Sequence, residues 1–167
     1  DVDVVSFTGS TPVGRQIMAA ASATVKRVFL ELGGKSAFVL LDDGDAAMAA
    51  LFCSYAATSH SGQGCAITSR LVVPRDRYDE VVDMARTTLA GVAYGDPTDP
   101  ANMMGPLINA RQREKVAGYV DRAIADGAKA LVGGRIPEHL PRGFFYEPTL
   151  LAGADENSAV AQDELFG

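Results

Sequence analysis

The chain has 167 residues, of which 47% are hydrophobic and 22% charged, and its formal net charge is −6. This composition is typical of a globular protein, and the 15 basic residues are scattered rather than grouped on one stripe, which argues against nucleic-acid binding. No apolar run approaches the roughly 18 residues that span a bilayer, and no signal-peptide pattern opens the chain. We therefore expect a cytoplasmic protein with reduced thiols and with neither a nucleic-acid nor a membrane partner.

Apolar strands and amphipathic helices alternate along the whole chain, which predicts an α/β fold. In chain order we predict a buried strand at 4–7, a helix at 11–21, strands at 25–30 and 36–41, a helix at 45–59, a strand at 69–73, a helix at 75–91, a loop at 95–107, a helix at 109–126, a short strand at 130–132 and a bent strand at 144–151. The first strand, helix and strand fit one parallel βαβ unit. Val13, Ile17 and Ala20 or Ala21 are expected to form the inner face of that helix.

The two ends of the chain have the composition of protein interior. The chain starts with an apolar stretch at 2–7 and stops directly after Leu165-Phe166. We interpret it as an internal segment of a longer protein, and we expect the segment to be inactive when isolated.

Cys65 is the first candidate for chemistry. It lies in the run Ser61-Gly62-Gln63-Gly64-Cys65-Ala66, where the glycines leave the backbone open to a ligand. A thiolate can attack a carbonyl carbon, and a carboxylate such as Glu31 can later activate the water that releases the product. Taken alone, a cysteine such as Cys65 is more often a buried structural thiol than a nucleophile, and a glutamate such as Glu31 is more often a solvated carboxylate than a base. Cys53, in an apolar helix, is interpreted as a core residue, and no paired Cys or His spacing indicates a metal site.

A second candidate is the turn between the first strand and helix, with the sequence Gly9-Ser10-Thr11-Pro12-Val13-Gly14. Backbone N–H groups and the dipole at a helix N-terminus attract phosphate. The turn lacks the full glycine fingerprint of a dinucleotide fold, so an ordinary capped turn, with Ser10 or Thr11 as the cap, is the alternative.

Four motifs in this order resemble those of the aldehyde dehydrogenase superfamily: Phe7-Thr8-Gly9-Ser10, Glu31-Leu32-Gly33-Gly34-Lys35, Gly62-Gln63-Gly64-Cys65 and Glu164-Leu165-Phe166-Gly167. The resemblance implies oxidation of an aldehyde to a carboxylic acid with hydride transfer to NAD or NADP, NAD being favoured. It also implies that Cys65 is the nucleophile and Glu31 the general base. The cofactor-binding residues that it implies are Gly9, Ser10, Leu32, Glu164 and Phe166.

The resemblance also implies an architecture. Residues 1–33 would be the end of a Rossmann-type cofactor domain and residues 34–167 most of an α/β catalytic domain, with Glu31 and Cys65 on opposite sides of a cleft. The full-length parent is expected to be a homodimer or homotetramer that acts on a small-molecule aldehyde.

Some positions depart from the family pattern, and two other functions stay open. His60 stands where an asparagine is usual, and Ala37-Phe38 stand where proline and asparagine are usual, which leaves the specificity open. One alternative is a relative that passes the thioester to coenzyme A; those relatives usually lack the glutamate, so Glu31 favours hydrolysis. The other is a binding or structural protein that has lost the chemistry.

Overall fold

The computed structural model describes residues 2–167, which divide into two units, one ending at Gly34 and the other running over Lys35–Gly167. The first unit is a strand, a helix and a strand: β1 (Val4–Thr8), α1 (Thr11–Ser22) and β2 (Arg27–Glu31). The two strands are parallel, with Val4 paired to Arg27 and Thr8 to Glu31. The predicted βαβ unit is therefore confirmed.

The burial of this unit differs from the prediction. The side chains of β1 and β2 alternate between half-buried and exposed, and Phe29 is 64% exposed. A strand presents successive side chains to opposite faces of its sheet, and within this unit α1 covers only one face. On α1 the buried residues are Gly14 and Ala21, while Val13 is exposed, so the predicted inner face was wrong at Val13.

The second unit contains the remaining regular elements. They are β3 (Ser36–Val39), α2 (Ala46–Thr58), β4 (Thr68–Val72), α3 (Tyr78–Ala90), α4 (Ala110–Ala125), β5 (Lys129–Val132), β6 (Leu150–Ala152) and α5 (Ala159–Gln162), with short 3₁₀ turns at Ser59–Gly62 and Arg75–Arg77. β3 pairs with β4 in parallel, and β5 pairs with β6 in antiparallel orientation. The mixed α/β class predicted from the pattern is confirmed.

Small side chains let the main helix pair of this unit pack closely. The buried positions of α2 include Ala46, Ala49 and Ala50, and they form one apolar cluster with Val81 and Ala85 of α3. Because alanine projects little beyond the backbone, α3 and the β3–β4 pair can both approach α2. A second cluster lies under α4 and contains Leu107, Val116, Val120 and Tyr146.

Two parts of the second unit depart from the sequence prediction. The bent strand expected at 144–151 is a strand only at Leu150–Ala152, and Pro148, which lacks an N–H group, lies in the irregular stretch before it. Backbone bonds hold that stretch in place, from Leu107 N–H to Phe144 O at 3.1 Å and from Glu147 N–H to Arg135 O at 3.0 Å. Helix α5 was not predicted, since four residues are too short to show a helical period.

None of the helices found within residues 2–167 has the length and apolar character needed to cross a membrane.

Candidate active site

The two cysteines have opposite environments. Cys65 is exposed, in a turn that Ile67 N–H closes onto Gly64 O at 3.4 Å, directly before β4. Cys53 is buried in α2, where its thiol donates to Thr68 O at 3.6 Å. Burial raises the pKa of the Cys53 thiol to about 11, because a thiolate loses its hydration there. Cys65 is therefore the accessible thiol, and Cys53 has the core position that the sequence predicted.

The backbone leading to Cys65 has an unusual conformation. His60, Ser61 and Gly62 all have positive φ, at 49°, 57° and 73°. The first two carry a Cβ, which makes left-handed backbone costly. Residues 59–65, here called the cysteine loop, therefore need outside contacts to hold their shape.

Side-chain hydrogen bonds to the segment at 105–108 supply such contacts. The Ser61 hydroxyl donates to Gly105 O at 2.8 Å. The Gln63 amide oxygen accepts from Ile108 N–H at 3.0 Å, and its NH₂ group donates to His60 O at 3.2 Å. The cysteine loop is thus bonded both internally and to a segment more than 40 residues further along the chain.

A hollow adjoins the cysteine loop. Its volume is about 620 Å³, and it is lined by Ser59, His60, Ser61, Gln63, Pro97, Asn102, Met103, Gly105 and Pro106. The imidazole of His60 is exposed at this hollow, so the residue that replaces the usual asparagine is accessible to solvent.

The segment 163–167, here called the C-terminal segment, is held by one face of α4. Three side chains of α4 at helical spacing donate hydrogen bonds to this segment. The Gln112 amide donates to Leu165 O at 2.7 Å and to Phe166 O at 2.6 Å. The Lys115 ammonium donates to Glu164 O at 2.8 Å, and the Tyr119 hydroxyl donates to Asp163 Oδ2 at 2.8 Å. The Glu164 side chain is half-buried, and Phe166 is exposed with a φ of 61°. Sequence reasoning singled out Glu164 and Phe166 but missed the polar stripe that holds them, although its spacing of three and four residues was visible beside the apolar face of α4.

The cysteine loop and the C-terminal segment approach each other at two glycines. A Cβ placed on Gly62 would lie 2.6 Å from the carbonyl carbon of Gly167. Of the predicted site residues, Cys65, Glu164 and Phe166 therefore belong to two neighbouring segments of the second unit.

The other predicted site residues lie together in the first unit. Gly9 N–H donates to Glu31 O at 3.0 Å, joining the turn after β1 to the end of β2. Both residues are exposed at the carboxyl edge of the strand pair, where ligands bind in open α/β sheets. Leu32 is half-buried and packs at Gly14, where an added Cβ would lie 2.8 Å from its Cδ2 atom.

Ser10 precedes α1 as the N-cap residue, but its side chain makes no capping hydrogen bond. Ser10, one of the two candidate caps, is therefore the N-cap residue by position but does not cap the helix through its side chain. Ser10 is exposed at the start of a 12-residue helix in which Pro12 has no N–H group. The free donors there are therefore the N–H groups of Thr11 and Val13, an arrangement suited to phosphate oxygens. This geometry fits the pyrophosphate of a dinucleotide.

Lys35 follows the Glu31-Leu32-Gly33-Gly34 sequence and has a perturbed charge. Burial lowers the pKa of its ammonium to about 8, and the nearby Arg70 guanidinium acts in the same direction, while the Asp163 carboxylate opposes it. Arg70 also donates to Lys35 O at 2.6 Å. Within residues 2–167, no cluster of three or more His, Cys, Asp or Glu side chains is arranged to hold a metal ion.

A model of the aldehyde dehydrogenase family matches residues 1–167. A putative aldehyde dehydrogenase-like protein of Schizosaccharomyces pombe is 40% identical, over 100% of this chain and 33% of the relative. The crystal structure of a Mycobacterium tuberculosis aldehyde dehydrogenase complexed with NAD+ is 42% identical and superposes with a TM-score of 0.94, over 99% of this chain and 34% of that one. A cysteine-to-alanine variant of aldehyde dehydrogenase C from Pseudomonas syringae, complexed with NAD+ and octanal, is 38% identical with a TM-score of 0.93, over 99% and 34%.

These likenesses define a mixed α/β chain with the fold of solved aldehyde dehydrogenases. The chain belongs to the aldehyde dehydrogenase family, which confirms the resemblance read from its four motifs. It spans about a third of the length of the relatives that it matches. The division of the chain at Gly34 is adjacent to the predicted domain boundary, and the assignment of the two parts to a cofactor and a catalytic domain stays a prediction, as does the cytoplasmic location.

Proposed function

We propose that the full-length protein oxidises an aldehyde to a carboxylic acid with NAD or NADP as hydride acceptor. The observation that carries the proposal is the exposed thiol of Cys65 on a loop held in left-handed backbone, in a chain of the aldehyde dehydrogenase family. Relatives of similar fold have been solved with NAD+, which supports NAD as the favoured cofactor. We also expect a homodimer or homotetramer, as for the family.

In the proposed mechanism, the Cys65 thiolate attacks the aldehyde carbon, and the carbonyl π electrons move to oxygen to form a thiohemiacetal. The Cys65 N–H group donates to the resulting oxyanion. When bound, the nicotinamide supplies the acceptor for the hydride that leaves this carbon, and a thioester on Cys65 remains.

Glu31 then removes a proton from water, which attacks the thioester carbon and releases the acid together with the Cys65 thiolate. The support for this role is the family motif that begins at Glu31, Glu31-Leu32-Gly33-Gly34-Lys35. Gly9 and Ser10 are proposed to bind the pyrophosphate, and Leu32 to face the nicotinamide through its carbonyl. Glu164 is proposed to bind the adjacent ribose hydroxyls, and Phe166 to pack near the ring.

A single-turnover experiment on the full-length protein tests these roles. Wild type, Cys65→Ser and Glu31→Gln are mixed with a panel of aldehydes and each cofactor, and reduced nicotinamide is followed by absorbance. We expect Glu31→Gln to give a burst of about one equivalent without steady turnover, because the thioester forms but is not hydrolysed, and Cys65→Ser to give no burst.

Other outcomes would contradict the proposal in distinct ways. Normal steady turnover by Glu31→Gln would make Glu31 a structural carboxylate, and acceleration by coenzyme A would then identify an acylating enzyme. A wild type without a burst for any aldehyde, with Cys65 no more reactive toward iodoacetamide than Cys53, would favour a binding protein that has lost the chemistry.

A further inference from the structure

We propose that Gln63 is a positioning residue for Cys65, and this inference rests on the proposed function. Gln63 precedes the candidate nucleophile by two residues, and its side-chain amide connects the cysteine loop to the segment at 105–108 while also bonding within the loop. One end accepts from Ile108 N–H at 3.0 Å, and the other donates to His60 O at 3.2 Å. Gln63 acts through the loop backbone and is not proposed to contact the substrate.

The chemistry of the two partners determines the orientation of the amide. A backbone N–H group can only donate and a backbone carbonyl can only accept, so Oε1 must face Ile108 and Nε2 must face His60. Among the 20 residue types, only a side chain with an acceptor and a donor on one short terminus satisfies both partners at this length. Gln63 therefore has a chemical specificity that can be tested by removing one function at a time.

The loop needs this support because its own conformation is unfavourable. His60 and Ser61, which carry Cβ atoms, have φ values of 49° and 57°, and such residues persist only where their surroundings hold them. Ser61 holds one side through Gly105 O. Gln63 restrains the side nearer to Cys65, so it determines where the Cys65 N–H group and Sγ atom point.

A thiol that attacks a bound carbonyl must be placed closely, and small misplacements reduce the rate far more than they reduce binding. Loss of the Gln63 bonds should therefore slow thiohemiacetal formation without changing cofactor affinity. A merely structural role would instead lower the fraction of folded enzyme and leave the rate per active site unchanged.

Two variants of the full-length protein separate these possibilities. Gln63→Glu keeps an acceptor for Ile108 N–H but has no donor for His60 O when ionised, and Gln63→Met keeps the length but has neither. Active sites are counted by iodoacetamide titration of Cys65 with Cys53 as the internal reference, and the burst rate per active site and the dissociation constant of the cofactor are measured. Gln16→Met, an exposed glutamine on α1, is the matched control.

We expect the burst rate to fall about tenfold in Gln63→Glu and up to about a hundredfold in Gln63→Met, roughly tenfold for each lost hydrogen bond. The cofactor dissociation constant and the control should be unchanged. A wild-type burst rate per active site in Gln63→Met, with only the burst amplitude reduced, overturns the proposal. If Gln63→Met does not fold, Gln63→Glu decides, and a wild-type rate in that variant also overturns it.

The same burst measurements distinguish failure of the Gln63 proposal from failure of the proposed function. If wild type gives a burst that Cys65→Ser abolishes while both Gln63 variants behave as wild type, the proposed function stands and the role of Gln63 is rejected. If wild type gives no burst with any aldehyde, the proposed function fails first and the role of Gln63 is rejected with it.

Discussion

At the residue scale, two effects could require glycine at position 62 of the cysteine loop: its left-handed backbone angle and its close contact with Gly167. Its φ of 73° is left-handed, but the neighbouring His60 and Ser61 adopt similar angles with a Cβ present. The backbone angle alone therefore does not require glycine here. The contact does, because an added Cβ would lie 2.6 Å from the carbonyl carbon of Gly167, and backbone cannot move aside as a flexible side chain can.

Gly62→Ala should therefore lower the free energy of unfolding by roughly 2 kcal/mol or more, since a left-handed cost of about 1–2 kcal/mol adds to the clash. Thermal unfolding of the full-length protein measures it. Gly118→Ala is the control, because Gly118 lies inside α4 with open space around it. The free energy of unfolding of this variant should rise by about 0.5–1 kcal/mol. Equal stability of Gly62→Ala and wild type would show that the two segments separate easily.

At the scale of the element, α4 has a side-chain N-cap, an apolar face in the core and a polar face that binds the C-terminal segment. Asn109 is its N-cap, and the Asn109 side-chain oxygen accepts from Gln112 N–H at 2.9 Å. Gly127, with a φ of 105°, follows its end. The sequence predicted a helix at 109–126. It could not predict that the polar stripe at Gln112, Lys115 and Tyr119 binds a segment about 45 to 55 residues away, because long-range pairing leaves no local periodicity.

Asn109→Ala should destabilise the protein by about 1 kcal/mol, the usual cost of losing a side-chain cap. It should also loosen the C-terminal segment, because the first turn of α4 carries Gln112. Thermal unfolding reports the first effect, and limited proteolysis near Phe166 reports the second. Asn109→Asp keeps the acceptor oxygen and should restore both properties, whereas equal behaviour of the alanine and aspartate variants would rule out a capping role.

At the scale of the whole second unit, the pKa of Lys35 is determined by groups on elements that lie far apart in the sequence. The lowered pKa results from burial first, then from Arg70 on β4, with Lys115 on α4 adding to the effect and Asp163 opposing it. No window of sequence around Lys35 contains these groups.

The pKa difference has a definite sign for stability. The Lys35 ammonium has a pKa of about 8 in the folded protein and an ordinary pKa of 10.5 in the unfolded chain. Between these two pH values the unfolded chain therefore binds more protons than the folded protein. The free energy of unfolding consequently rises with pH across that window. At pH 7 both states are charged, and the partly buried ammonium of Lys35 is destabilising. Lys35→Met should therefore raise the thermal midpoint at pH 7, and this gain should shrink as the pH rises from 8 to 10.

Thermal unfolding of wild type and Lys35→Met at pH 7, 8, 9 and 10 measures the effect. Lys129→Met, at an exposed position of β5, should show no comparable pH-dependent gain. A gain in Lys35→Met that is constant over the whole range would indicate improved packing rather than removal of a buried charge.

The sequence by itself determined the α/β class, the first βαβ unit and the family, because periodicity and short motifs are local properties that survive without tertiary contacts. It also distinguished Cys65 from Cys53 through the glycines beside one and the apolar residues beside the other. Only the tertiary structure decided that Gln63 bonds to Ile108, that α4 holds the C-terminal segment and that Gly62 meets Gly167. Those contacts join residues from 45 to 105 positions apart, and the folded chain brings them together through packing that no local pattern encodes.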